Sequence, residues 1–173
     1  WWNGIWLNEA FATFMATKAV DKFNPEWERW VEFGIEKSAA FDVDSLKSTR
    51  PIEFDVISPD DATAMFDLLT YEKGGAVLRM LEQYVGEEQF RDGIRNYLNK
   101  HEFSNTETED LWDSIEEFSS IPVRETMNSW ILQPGFPRVL IQSEDNDIKI
   151  TQSTFRYDNS DDETLWKIPM EIK

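Results

Sequence analysis

The sequence contains no cysteine, and this absence removes several classes of site. Disulfide scaffolds, thiol catalysis and zinc sites built on cysteine are all excluded. Long apolar runs are also missing, since no stretch approaches the ~20 residues that a transmembrane helix needs. No charged segment followed by an apolar one resembles a signal peptide. We therefore expect no membrane segment in this stretch of chain.

Basic residues are scarce relative to acidic ones. Lys and Arg total 17 against 34 Asp and Glu, which gives a net charge of −17. Such a field repels nucleic-acid phosphates and anionic membrane surfaces, so we expect the protein to bind no nucleic acid. The simplest interpretation is a soluble acidic surface. Hydrophobic residues make up 40% of the chain and aromatics 14%, which predicts a packed core instead of general disorder.

The larger, N-terminal part of the sequence has the apolar spacing of α-helices. Apolar residues recur every three or four positions, which is typical of helices that bury one face. Gly86 is a helix stop signal, Pro122 suits the first residue of a helix, and Thr106 with Glu109 has the form of a capping box. The predicted helices cover 6–23, about 26–40, 70–84, 87–99 and short segments after Thr106 and Pro122, with a long loop at 42–61.

The pattern changes after Gln133-Pro134-Gly135-Phe136-Pro137, a break rich in Pro. The predicted fold class is mainly α for residues 1–135, followed by the first strands of a β-sandwich domain at 136–173. So few strands cannot close a sandwich, so we expect the chain to be a piece of a longer protein. The β-type runs, separated by turns rich in Asp and Asn, are 139–141, 148–151, 154–157 and 165–168.

The opening stretch WWNGIWLNEAF places one carboxylate, Glu9, inside a densely apolar segment. Its neighbours Leu7, Ala10 and Phe11 are apolar, and a carboxylate buried among them would be costly unless it were paired or bound to a metal. A solvated Glu near a helix N-terminus, stabilised by the helix dipole, is the alternative interpretation. Position alone favours this second interpretation, because buried unpaired Glu is rare.

A second notable stretch is Thr70-Tyr71-Glu72-Lys73-Gly74-Gly75. Tyr71 begins a predicted helix directly after the long loop, where its hydroxyl could donate to a developing oxyanion. The two glycines allow close approach of another backbone or helix. Taken alone, this stretch favours the simpler interpretation of Tyr71 as a packed aromatic.

Together, the two stretches resemble zinc aminopeptidases of the aminopeptidase N and leukotriene hydrolase type, which are gluzincins. In that family a segment close to WWxxxWLNEGFA follows the HExxH zinc motif, and a YEKG segment comes later. The separation of Glu9 and Tyr71, 71 − 9 = 62 residues, is also of the family's kind. Ala10 stands where the family usually has Gly, a mild change of size. The residues that match the first segment are Trp1, Trp2, Trp6, Leu7, Asn8, Glu9, Phe11 and Ala12.

The resemblance implies that Glu9 is the third ligand of one catalytic Zn²⁺ and that Tyr71 stabilises the transition state. The other ligands would come from an HExxH helix that ends roughly ten residues before Trp1, in a missing N-terminal part of the same polypeptide. Residues 1–135 would then be the C-terminal helical part of a thermolysin-like catalytic domain. The implied activity is removal of N-terminal residues from peptide substrates, and the chain alone is expected to be inactive.

Three further polar residues receive more modest predictions. The only histidine, His101, is expected at a helix end as a surface or C-cap residue and not as a metal ligand. Glu72 and Lys73 follow Tyr71 directly and would support the site in a role that the resemblance leaves open. For both, a first-turn charge pair on the surface is favoured over direct chemistry.

Two alternative functions remain open. Clustered Trp1, Trp2 and Trp6 could form an aromatic platform that binds sugars or peptides, or the chain could be a non-catalytic scaffold that keeps the family's fold. Under the enzyme interpretation the same tryptophans are core that packs against the missing zinc helix. Solvent exposure discriminates between these interpretations, because platform rings are wet and core rings are buried.

Overall fold

Helices and a β-hairpin follow one another along the chain in the computed structural model, which describes residues 2–144, 147–158, 160 and 162–170. Short 3₁₀ turns at Trp2–Gly4 and Pro25–Trp27 precede the first two α-helices. This order confirms the predicted fold class of helices followed by β structure. The elements are α1 (Ile5–Phe23), α2 (Arg29–Asp44), α3 (Pro59–Ala64), α4 (Gly74–Val85), α5 (Glu87–Lys100), α6 (Thr108–Glu116), α7 (Val123–Ile131), β1 (Pro137–Glu144) and β2 (Asp147–Thr154).

The core forms where α1, α4, α5, α6 and α7 bury their apolar faces against one another. The ring of Trp6 on α1 lies 6.0 Å from the ring of Trp112 on α6. Trp6 Nε1 donates to Glu53 Oε2 at 2.7 Å, so the polar edge of this buried ring is satisfied. Further fully buried members of the core are Phe14, Leu78, Leu81, Leu111, Ile115, Met127 and Ile131.

The tryptophans of the opening stretch do not share one environment. Trp6 is completely buried, which confirms its predicted place in the core. Trp2 is 57% exposed, so its burial against a zinc helix stays a prediction. Trp1 lies outside the described residues. The interpretation of a solvent-exposed aromatic platform that includes Trp6 is therefore wrong.

Helices α5 and α6 approach each other closely at Gly93, and this contact makes a testable prediction. A Cβ at Gly93 would lie 2.7 Å from Ile115 Cα, a backbone atom that cannot move aside cheaply. We expect Gly93→Ala to lower the free energy of unfolding by about 1–3 kcal/mol through overpacking.

The matched control is Gly34→Ala in α2, where nothing lies within 4 Å of the added Cβ. Alanine is the better helix former, so this variant should be neutral or more stable by about 0.5–1 kcal/mol. Urea unfolding of both variants makes the comparison. Equal losses in both would mean that the contact with Ile115 is not the cause.

The predicted capping box ahead of α6 is wrong. Thr106 and Glu109 do not form a capping box, because α6 begins at Thr108 and its N-cap is Glu107. The Glu107 N–H donates instead to Asp110 Oδ2 at 2.8 Å. The Thr106 hydroxyl lies 2.6 Å from the Tyr97 hydroxyl on α5, so it contributes to packing between helices and not to a cap.

Strands β1 and β2 form an antiparallel hairpin, which confirms the first two predicted strands. The register runs from Pro137 opposite Thr154 to Glu144 opposite Asp147. An isolated two-stranded hairpin is only marginally stable in water. Contacts with the helices are therefore needed to hold this one in place.

The third and fourth predicted strands, 154–157 and 165–168, are wrong for the described residues, since only Thr154, the last residue of β2, is in a strand. Their backbone groups bond elsewhere. The Tyr157 N–H donates to the carbonyl oxygen of Ser45 at 3.2 Å, and the Trp166 N–H donates to a side chain of β2 at 2.9 Å. Alternation of apolar residues produces a strand only where a neighbouring strand supplies the partners.

Within the part of the chain that the structure describes, no helix is both long enough and apolar enough to cross a membrane.

Candidate active site

Tyr71 lies on a single π-helical turn, Leu69–Lys73, that leads directly into α4. The start of this turn is capped by Asp67, whose Oδ1 accepts the N–H groups of Leu69 at 2.9 Å and Thr70 at 3.1 Å. Single π-helical turns are rare in proteins as a whole. Those that do occur are found frequently at functional sites. The turn therefore places Tyr71 at a local departure from regular helix.

The structure brings Tyr71 and Glu9 together, although 62 positions (71 − 9) separate them in the sequence. Hydrogen bonding to the Glu9 carboxylate is the main cause that raises the pKa of the Tyr71 phenol, and partial burial adds to it. Both side chains are partly exposed. The phenol is therefore protonated at neutral pH and has a proton to donate, next to a carboxylate that solvent can reach.

This approach depends on small residues where α1 meets α4. A Cβ at Gly74 would lie 2.7 Å from the Cβ of Ala10. Ala10 is the residue after Glu9, and Gly74 follows the π-helical turn of Tyr71. The glycine after the Tyr71 turn thus allows the two site-bearing elements to pack in direct contact, as its sequence position suggested.

Among the described residues, no group of three His, Cys, Asp or Glu side chains could hold a metal ion. Glu9 fits a metal as a single ligand, because its carboxylate is partly exposed and no ion pair joins it to a cation of the described residues. His101 is the C-cap residue of α5, with its ring 5.4 Å from that of Tyr97. Its predicted helix-end position is confirmed.

Lys73 and Glu72 do not form the surface charge pair that the sequence favoured. Lys73 is buried, and its Nζ lies 2.7 Å from Asp44 Oδ2 on α2. Burial lowers the pKa of Lys73, and the Asp44 carboxylate opposes that shift. Glu72 is partly buried with Oε2 enclosed, and burial followed by the nearby charge of Glu36 raises its pKa.

Sequence reasoning missed Asp44 altogether. It lies 29 positions before Lys73 (73 − 44) at the end of α2, and no local pattern links the two. The only signal in the sequence was that glycines and apolar residues follow Lys73. If such a segment is buried, a lysine in it needs a charged partner.

A cavity of about 610 Å³ does not contain the Glu9 and Tyr71 pair. It lies between α2 and α4, and its wall is mostly apolar, with Phe33, Phe41 and Val77 among its lining residues. Glu9 and Tyr71 instead lie on the side where α1 meets the π-helical turn. The Glu9 and Tyr71 pair and this cavity are therefore separate features of the described residues.

The chain is similar to known proteins over nearly its whole length. Residues 1–130 match the model of the Peptidase family M1 domain. The chain belongs to peptidase family M1. This M1 assignment agrees with the resemblance carried by the stretches around Glu9 and Tyr71.

Individual relatives support the same assignment. The M1 chain is 44% identical over 173 residues to Tricorn protease-interacting factor F2 of Thermoplasma acidophilum, covering 99% of the chain and 22% of that protein. It is 40% identical over 174 residues to leucyl aminopeptidase of Saccharolobus solfataricus, covering 100% of the chain and 22% of that protein. It is 38% identical over 172 residues to aminopeptidase M1-D of Oryza sativa subsp. japonica, covering 99% and 20%. The M1 chain thus spans about a fifth of the length of these relatives.

Proposed function

We propose that this M1 chain forms part of a zinc aminopeptidase that hydrolyses N-terminal residues from peptides. The observation that supports this function best is the proximity of the Tyr71 phenol to the Glu9 carboxylate, which raises the pKa of the phenol, in a chain of the M1 family. One group is a metal-binding carboxylate, and the other is a hydroxyl that can donate to an oxyanion. Zinc peptidase chemistry can use such a ligand and such an oxyanion donor side by side.

Glu9 has the role of a zinc ligand in this proposal. A catalytic zinc site takes three protein ligands and keeps one position for water or substrate. Zn²⁺ bound there would polarise the scissile carbonyl and acidify its water. Glu9 would hold the ion from α1, a helix that is anchored in the core through Trp6.

Tyr71 has the role of hydrogen-bond donor to the substrate carbonyl oxygen as that oxygen gains negative charge. Its raised pKa keeps the phenol protonated throughout the neutral range. Such a contact is stronger in the transition state than in the ground state, so it accelerates the reaction instead of merely tightening binding.

One carboxylate does not hold zinc usefully. We therefore propose that the remaining ligands come from an HExxH helix elsewhere in a longer polypeptide, with residues 1–135 as part of its catalytic domain and 136–173 as the start of a β-sandwich domain. Two observations support this proposal: the chain covers about a fifth of its relatives, and none of its described residues completes a metal site.

The alternatives have less support. A platform of the opening tryptophans requires wet rings, whereas Trp6 is fully buried. A non-catalytic scaffold would have no need for a phenol held against a carboxylate at a partly exposed position. Both alternatives stay distinguishable from the enzyme by the following experiment.

The first experiment is to sequence the gene in frame upstream of the Trp1 codon and to assay both forms of the protein. We expect an HExxH motif roughly ten residues before Trp1. The full-length polypeptide should release the N-terminal residue from an aminoacyl p-nitroanilide and contain one zinc, whereas residues 1–173 alone should do neither. An intact reading frame without HExxH would contradict the proposal and favour the scaffold.

A further inference from the structure

We propose that Lys73 and Asp44 are positioning residues that hold the Tyr71 turn in its working place. With Gly135 they form what we call the buried clamp (Lys73, Asp44 and Gly135). The clamp joins the turn that carries Tyr71 to the segment that connects α7 with β1. This inference rests on the proposed role of Tyr71 and goes beyond it, because neither Lys73 nor Asp44 contacts the site chemistry directly.

The Lys73 ammonium has two partners inside the protein. Its Nζ lies 2.7 Å from Asp44 Oδ2 and donates to the carbonyl oxygen of Gly135 at 2.8 Å. Lys73 is 7% exposed and Asp44 1% exposed. Removing either charge alone would leave its partner buried and unpaired, which is strongly unfavourable.

Asp44 binds the backbone N–H of the same residue, Gly135. Its Oδ1 accepts the N–H of Gly135 at 2.9 Å and the hydroxyl of Thr49 at 2.6 Å. The Asp44 backbone carbonyl accepts from Arg156 Nη1 at 3.2 Å. Gly135 is therefore bonded through its N–H to Asp44 and through its C=O to Lys73, so the connection to the hairpin cannot shift without disturbing the pair.

The backbone conformation of Gly135 suits these two hydrogen bonds. Its φ is +85°, in the left-handed region that favours glycine. A Cβ there would lie 3.4 Å from both terminal guanidinium nitrogens of Arg156. Because Gly135 has no Cβ, its backbone can lie close both to the ion pair of Lys73 and Asp44 and to the guanidinium group of Arg156.

The clamp fixes the far end of the Tyr71 turn. Lys73 is the last residue of the five-residue turn Leu69–Lys73. Asp67 caps the first end and is itself paired with Arg50 Nη2 at 2.6 Å. Tyr71 stands midway between these two anchored ends, so the direction of its phenol toward Glu9 depends on both.

A buried ion pair is by itself weak evidence of a special role, because such pairs contribute little net stability. Geometry provides the stronger reason. A displacement of about 1 Å at a catalytic group can cost about 10²-fold in rate, and the clamp is two residues from that group.

The test is a double-mutant cycle in the full-length polypeptide, which combines Lys73→Met with Tyr71→Phe. We expect Lys73→Met to lower kcat by about 10- to 100-fold, with KM and zinc content unchanged. In the Tyr71→Phe background the same change should alter kcat by less than about twofold, since no hydroxyl remains to be positioned.

Two additional variants serve as a control and as a replacement in case Lys73→Met does not fold. Lys18→Met is the matched control, because Lys18 also pairs with a buried carboxylate, Glu82, at 2.5 Å, and its hydrogen bonds among the described residues go to Glu82 and Glu87 and not to the Tyr71 turn. It should leave kcat unchanged. If Lys73→Met fails to fold, Lys73→Met combined with Asp44→Asn replaces it in the cycle, since this pair leaves no charge buried alone.

The outcomes separate the two proposals. An equal loss of kcat in both Tyr71 backgrounds, or an equal loss in Lys18→Met, would overturn the positioning role and leave the aminopeptidase function standing. Unchanged turnover in Tyr71→Phe itself would remove the proposed role of Tyr71, and the positioning role with it.

Discussion

Replacing Tyr71 by Phe in the full-length polypeptide is expected to lower kcat by about 10²–10³-fold while zinc stays bound. The change removes only the phenolic oxygen and keeps the ring in its packing. Since Tyr71 is proposed to bond the carbonyl oxygen as charge develops, its loss acts on the transition state and leaves KM nearly unchanged. Steady-state kinetics with a peptide substrate and zinc analysis by mass spectrometry measure both quantities.

Tyr84→Phe is the matched control for this prediction. Tyr84 lies on α4, the helix that follows the Tyr71 turn, and is 39% exposed. The same loss of a hydroxyl there should leave kcat unaltered. A Tyr71→Phe variant with full turnover would refute the proposed role, because the site would then need no donor at this position.

Replacing Glu9 by Ala is expected to have the other large effect, on the metal itself. Loss of an outer-shell partner usually weakens metal binding by about 10–100-fold, so loss of a direct ligand should weaken zinc affinity by at least about 100-fold. Zinc content after dialysis should fall, and activity should fall with it. Glu9→Gln should behave similarly, since a neutral amide is a poor zinc ligand.

Asp21→Ala provides the comparison for Glu9. Asp21 is also a carboxylate of α1, twelve positions beyond Glu9 (21 − 9), and the proposal gives it no part in the site. This variant should retain zinc and activity. Full zinc content in Glu9→Ala would show that the ion is held without this carboxylate and would contradict the ligand assignment.

Several helical boundaries follow from the sequence alone. The predicted segments 6–23 and 87–99 correspond to α1 (Ile5–Phe23) and α5 (Glu87–Lys100), each within one residue at either end. Gly86 ends α4 with a φ of +94°, as a stop signal should. These features succeed because helix periodicity and end signals act over a few neighbouring residues, which the sequence displays directly.

The motifs around Glu9 and Tyr71 were also readable from the sequence, through their resemblance to one family. Their roles followed from that resemblance and not from periodicity or spacing. Local reasoning alone favoured a solvated carboxylate and a packed aromatic. It had no means of detecting that the two side chains lie close together.

Tertiary structure alone decided which distant residues meet. The pairing of Lys73 with Asp44 overturned a surface prediction, and the segment 165–168 failed to form a strand because its partners are side chains and not a neighbouring strand. The proximity of Glu9 to Tyr71 depends on the close approach that Gly74 allows between α1 and α4. Such outcomes depend on which faces of distant elements pack together, and that choice minimises the free energy of the whole chain and not of any local stretch.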